Sequence, residues 1–146
     1  MPGAEGPGQE FIVENVIKEK HHDERVMDLA MEAGSILLEN GAEISRVEET
    51  MQRICDHYDV HSQNTFVLSN GVFATAGSPR EHMYAGVRHI PVSSANLSKV
   101  AAVNEVSREI AEGKLSIEES FDRLEEIRKS PGKRRITLTL ASALSS

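Results

Sequence analysis

Cysteine occurs once in the 146 residues, tryptophan not at all, and aromatic side chains make up only 4% of the chain. With a single thiol, Cys55, no intrachain disulfide can form, which suits a reducing compartment. Cys55 falls on the apolar arc of a helix pattern, so its expected role is that of a small buried hydrophobe; a nucleophile needs an exposed, electropositive setting. Too few aromatics are present to stack bases. Positive charge is scarce as well: residues 1–130 carry all 23 acidic and 13 of the 16 basic residues, a net −10, and no basic stripe precedes Lys129. Nucleic acid is therefore not an expected partner, since phosphate binding needs such a stripe. The opening "MPGAEGPGQE" has neither the basic start nor the apolar run of a secretory signal.

Catalytic signatures are missing too. Gly71 and Gly77 flank a strand pattern and open no helix, so no phosphate loop forms, and neither G-x-S-x-G nor H-E-x-x-H occurs. His57 and His61 have the i,i+4 spacing of two metal ligands on one helix, but they straddle an expected helix end with only Asp59 as an extra ligand. Catalytic zinc normally takes three protein ligands. No metal and no cofactor are expected.

What remains is the composition of one ordinary globular domain, 39% apolar and 27% charged. Residues 1–22 mix Gly, Pro and charge, and read as a disordered lead-in. From Asp23, Val26, Leu29, Ala30, Ala33, Ile36 and Leu37 follow helical spacing. Asn40 and Gly41 end that helix, glycine supplying the left-handed closing conformation, and a second helix completes a hairpin. Periodicity then drops to two. "NTFVLSNGVFATAG" holds two strand-like runs around Asn70 and Gly71, the pair preferred by a two-residue type I′ turn. A third strand over His82–Ile90 puts Met83, Ala85 and Val87 on one face, and Pro91 ends it. Leu97, Val100, Ala101, Ser107 and Ala111 then mark a helix face that contains Asn104. Gly113 stops that helix, and Ser116 with Glu119 makes a capping box for a last helix burying Ile117, Phe121, Leu124 and Ile127. The order ααβββαα, with its strands bunched, indicates an α+β fold: a three-stranded antiparallel sheet with helices on one face, over residues 23–130.

The stretch "ENGAEISRVEETMQRI" sets Glu43 and Glu49 three residues either side of Arg46. At about 100° per residue, Glu43 lies close to the apolar arc of Ile44, Val47, Met51, Ile54 and Cys55, whereas Glu49 points away from it. A carboxylate against a core stripe needs a partner, and Arg46 is within reach. Glu43, Arg46 and Asn104 are expected to meet in one polar network between the helical hairpin and the third helix. With Glu48, these charges could instead serve general acid/base chemistry if they lined a cleft.

Lys129, Lys133, Arg134 and Arg135 precede "ITLTLASALSS", eleven residues without a charge. Spanning a bilayer takes about 20 apolar residues, so the run does not cross as it stands. As a fragment it fits: a basic cluster before an apolar segment follows the positive-inside rule for a helix entering from the cytoplasm. Residues 131–146 are read as a basic linker and the truncated start of a first transmembrane helix, with a frayed Ser-rich tail of a soluble protein, or a helix docking on the domain, as the other readings.

"LLENGAEISRVEETMQRI", an Asn-Gly-containing β region, "NLSKVAAVNEVSREIAEGKLSIEESFDRLEEI" and the basic run into an apolar start together resemble the N-terminal domain of the threonine/serine exporter family, which includes subunits of dicarboxylate (succinate) exporters. The resemblance covers residues 26–140. It implies a cytoplasmic domain at the inner (plasma) membrane that acts in assembly, gating or substrate sensing and is not an enzyme. The implied partners are a membrane domain of the same exporter or a partner membrane subunit, an amino acid or dicarboxylate solute, and further subunits in a homo- or hetero-oligomer. Family positions carried onto this chain are Asn40, Gly41, Ala42, Glu43, Arg46, Val47 and Glu49, then Asn96, Leu97, Val103 and Asn104. Of these, Glu43, Arg46, Glu49 and Asn104 are the candidates for solute binding or gating, with Arg46 holding a carboxylate. Asn40, Gly41, Asn70, Gly71 and Asn96 are candidates for structural roles. The alternative is a free-standing soluble domain with hydrolase-like or regulatory ligand-binding activity at Glu43, Arg46 and Glu49.

Overall fold

A computed structural model describes residues 7–60, 63–77, 83–91 and 94–131. Its elements run α1 (Pro7–Glu39), α2 (Ile44–His57), β1 (Gln63–Leu68), β2 (Gly71–Gly77), β3 (Met83–His89), α3 (Leu97–Ala111) and α4 (Ile117–Lys129). The α+β order expected from the sequence, ααβββαα, is the order found. The anticipated start of a transmembrane helix lies outside the described residues. Among those described, no helix is long and apolar enough to cross a membrane.

The second half of α1 is the axis of the domain. Val26, Met27, Leu29, Ala30, Met31, Ala33, Ile36 and Leu37 are all buried, and they point round most of the helix circumference. A helix that is apolar nearly all round must be enclosed. Here α2, α3, α4, β2 and β3 enclose it. Gly34 lets α2 come close: a Cβ at that position would stand 2.6 Å from Met51 Sδ and 3.0 Å from its Cγ. The first half of α1 differs from expectation. Where the sequence reading starts the helix at Asp23, the structure carries it back to Pro7. No Gly or Pro interrupts residues 9–23, and Glu14 pairs with Lys18 one turn on at 3.1 Å, so a nucleated helix can propagate through them. Phe11, Ile12, Val13, Val16 and Ile17 remain exposed on this extension.

Three helices close in the same way. After α1, Gly41 takes φ +86°, Ala42 N donates to Leu37 O at 3.0 Å, and Gly41 N donates to Leu38 O at 3.2 Å. This double bond satisfies carbonyls that the helix end would otherwise leave open. Gly113 repeats it after α3 at φ +73°, and Asp59 does so after α2 at φ +56°, the only non-glycine with positive φ among the described residues. The capping box of α4 is present at Ser116 and Glu119.

The sheet is an antiparallel meander, β1-β2-β3. Its first turn differs from the expected one. Leu68 pairs with Gly71, so the turn residues are Ser69 and Asn70, neither with positive φ, and Gly71 is the first residue of β2. The observed register sets Phe66 opposite Phe73 and Val67 opposite Val72. Such matched cross-strand pairs contribute roughly 0.2–1 kcal/mol each, which a favoured turn dipeptide does not override. Val67, Val72, Ala74 and Ala76 face α1 and α2. On β3 the side turned inward carries Tyr84, Gly86 and Arg88; Met83, Ala85 and Val87 share a face as expected, but it is the exposed one.

On α3 the buried stripe is Val100, Val103, Val106, Ser107 and Ile110. Leu97, Ala101 and Ala111, expected on it, are exposed. Two helical faces were open to α3, and the bulkier β-branched one fills the space against α1 and α2. Asn104 sits half-buried at the margin of that stripe.

Candidate functional site

Along α1, Asp28, Glu32 and Glu39 lie on the arc left free by the apolar positions, and each finds a partner from a distant element. Tyr84 Oη on β3 donates to Asp28 Oδ1 at 2.9 Å. Arg88 Nη1, four residues on along the same strand, reaches Glu32 Oε2 at 2.6 Å. Arg128, in the last turn of α4, donates from Nε to Glu32 Oε1 at 3.0 Å, lies with Nη2 2.8 Å from the same oxygen, and reaches Glu39 Oε2 with Nη1 at 3.0 Å. Both carboxylate oxygens of Glu32 are thus engaged by two guanidinium groups. Burial on its own would raise the pKa of Glu32; the Arg88 hydrogen bond and the charge and hydrogen bonds of Arg128 outweigh it and hold the group below its ordinary 4.5. Burial also pushes the Tyr84 phenol up, reinforced by its bond to Asp28.

A second chain of contacts meets the first at α4. Asn40 is buried, with its side-chain amide donating to Ile36 O at 2.7 Å. Its carbonyl accepts from Asn96 N at 3.0 Å. Asn96 caps α3, its side-chain oxygen accepting from Lys99 N at 3.3 Å. Here Gly41 is required twice, for its φ and because a Cβ would stand 3.0 Å from Ala95 Cβ. Lys99 Nζ then donates to Arg128 O at 2.9 Å, a cation at the carbonyl end of α4. The end of α1, the start of α3, the end of α4 and β3 are therefore joined in one polar junction at the point where α4 finishes.

The residues singled out in sequence divide between this junction and the open surface. Asn40, Gly41 and Asn96 are brought together in it. Asn70 sits at the sheet turn, its carbonyl accepting from Ile90 N at 2.8 Å, and Gly71 lies where a Cβ would stand 3.1 Å from Arg88 O. Glu43, Arg46 and Asn104 do not form the expected network: among the described residues no hydrogen bond or ion pair joins their side chains. Glu43 is the N-cap of α2, with extended backbone at φ −64°, ψ 145°, and is exposed. The helical wheel that put it against the apolar arc does not apply to a residue outside the helix. Arg46 is exposed as well. Glu49 pairs not with Arg46 but with Arg53, one turn further on at 3.5 Å, the favoured order for an i,i+4 pair.

Arg53 also donates to Ser107 Oγ on α3 at 3.0 Å, and an open groove of about 530 Å³ lies here between Glu49, Gln52, Arg53, Asp56, His57 and Ala111. Its arginine is already bound to Glu49 and Ser107, and Gln52 to Asp56 at 2.6 Å. His61, the other half of the histidine pair, lies outside the described residues. Among those described, no three His, Cys, Asp or Glu side chains are grouped to hold a metal ion.

Sequence reasoning missed Glu32, Arg88, Lys99 and Arg128. A signal existed for Glu32: on a helix apolar elsewhere, charges at 28, 32 and 39 mark one line that must be paired. Nothing local identified the partners, which lie 56 and 96 residues away.

The family model ThrE, described as "Putative threonine/serine exporter", matches residues 28–146. This chain belongs to the threonine/serine exporter family. No curated protein and no solved structure matches it. Membership places the chain in the context of membrane transport, and the matched region begins within α1 at Asp28 and takes in the whole polar junction.

Proposed function

We propose that residues 23–130 are the cytoplasmic domain of a threonine/serine or related dicarboxylate exporter, serving assembly or gating of a membrane part in the same chain or a partner subunit. The observation that supports this is the anchoring of Arg128 to Glu32 and Glu39. Helix α4 carries its last turn tied to the central helix, and Lys133, Arg134, Arg135 and an uncharged run follow it in sequence. A domain that moves or holds a following membrane segment needs such a stiff exit, and a basic collar belongs on the cytoplasmic side of it. A scaffold of this kind needs no ligand. Solute sensing at Arg46 has less to stand on, because an exposed guanidinium gives a carboxylate little beyond a screened contact. The hydrolase-like alternative requires Glu43, Arg46 and Glu49 to line a cleft, and Glu43 and Arg46 are not among the residues lining the groove.

The test is sidedness and association. The chain carrying an N-terminal epitope is produced in bacterial cells with the membrane segments or subunit encoded beside it, and membranes are prepared right-side-out and inverted. Protease should remove the epitope in inverted vesicles alone. Recovery of the chain entirely in the soluble fraction, with no membrane companion, would refute the proposal. Calorimetry with threonine, serine and succinate separates sensing from scaffolding; heat at millimolar solute would favour sensing.

A further inference from the structure

The outer face of the sheet is an open apolar surface among the described residues. Phe66 is 60% exposed, Leu68 64%, Phe73 38%, Met83 47% and Val87 71%. The register sets Phe66, Phe73 and Val87 in one row across the three strands, with the two phenyl rings 6.2 Å apart. Among the described residues, helices cover only the opposite face. From those exposures and the size of the side chains, the patch amounts to roughly 500 Å², at the upper end of what a monomer carries without using it. Along all three strands no Asp, Glu, Lys or Arg points to this side, in a chain that is 27% charged with a net −7.

We infer that this face is a homodimer interface, its occupant a second copy of the same face. Three observations select that occupant. Side chains at a two-fold axis meet their own copies, so an uncharged face avoids the like-charge repulsion that a charged patch of this acidic chain would meet there. Two patches of this size bury about 1,000 Å² in total, which reaches the lower limit of a specific interface. The three-stranded meander can pack on its copy as one sheet packs on another, about 10 Å apart, Phe73 on the middle strand lying nearest the two-fold axis. An anionic lipid surface is the less suitable occupant, because peripheral binding relies on a rim of Lys and Arg that these strands lack. The inference does not depend on the exporter reading, and it completes the core of a sheet that the described residues cover on one side only.

Sedimentation of the full 146-residue chain over a concentration series tests it. A reversible dimer with a dissociation constant roughly micromolar or weaker is expected, given the area. Phe73→Glu should raise that constant by at least about 30-fold, the effect of losing one central anchor. Val87→Glu, at the most exposed of the five positions, should do the same and serves if Phe73→Glu fails to fold. Phe73→Cys should cross-link to itself under mild oxidation, with little background because Cys55 is 1% exposed, while Ser45→Cys on the exposed start of α2 should not. A wild-type chain that stays monomeric, an oligomer unaffected by folded Phe73→Glu or Val87→Glu, or a monomer that binds vesicles through this face would overturn the inference.

Discussion

Replacing Glu32 with Gln probes the junction at its most connected atom pair. The carboxylate accepts from Arg88 at 2.6 Å and from Arg128 Nε at 3.0 Å, with Arg128 Nη2 at 2.8 Å, and its side chain is 19% exposed, against 39% and 37% for the two arginines. A fully buried hydrogen bond to a charged group contributes about 1.5–3 kcal/mol, and an exposed ion pair about 0.2–1. Part-exposed guanidinium groups put this site between those limits, so the expected cost is about 2 kcal/mol in total. For a domain of this size that corresponds to a fall in Tm of about 8 °C, read by circular dichroism at pH 7. The pH dependence gives a second reading. Because the folded pKa of Glu32 is lowered, its contribution is complete above the unfolded carboxyl value near 4.5 and is lost as pH falls from there through the depressed folded value. The gap between wild type and Glu32→Gln should be constant from pH 8 to about 5.5 and narrow below about 4.5. In a double-mutant cycle, Glu32→Gln and Arg128→Gln should couple by about 1 kcal/mol or more. A Tm shift below about 2 °C, a gap that persists unchanged to pH 3, or simple additivity would refute the reasoning.

Other expectations follow from single contacts. Gly34→Ala, ordinarily favourable in a helix by up to about 1 kcal/mol, should here cost about 1–3 kcal/mol because the new Cβ meets Met51, a loss measurable by urea unfolding. Ser116→Ala removes the capping box of α4 and should lower stability by about 1 kcal/mol. Glu43→Gln should leave Tm within about 2 °C of wild type, since that side chain is exposed and unpaired among the described residues; a larger fall would reinstate the network expected from the sequence. The Cys55 thiol, its pKa pushed up to about 12 by burial and then by Asp56, should resist alkylation at pH 8 in the native protein and react fully in denaturant.

The local signals in the sequence translated directly into structure. Gly41 and Gly113 closed helices where expected, Ser116 and Glu119 formed the capping box, and alternation marked three strands. Each is decided within a few residues by backbone sterics or by one turn of hydrogen bonding. The errors came where two local solutions were nearly equal. Asn70–Gly71 favoured one hairpin turn while pairing of Phe66 with Phe73 favoured another, and α3 offered two plausible buried faces. A helical wheel sets Glu43 against the apolar arc, but the residue precedes the helix and is exposed, so the network expected from that placement does not form among the described residues.

By itself the sequence determined the element order, the glycines that close α1 and α3, the buried thiol and the family, because all of these depend on short-range pattern or on blocks of contiguous residues. Only the tertiary structure decided that β3 turns Tyr84 and Arg88 inward and leaves Val87 in water, and that Arg128 closes on Glu32 and Glu39. A strand with apolar residues on one side and an arginine on the other normally shows the apolar side to the core. Here the acidic line of α1 supplied charge partners for the inward side, and no second layer covers the outer one among the described residues. That choice rests on an attraction between groups far apart in sequence, and no local periodicity encodes it.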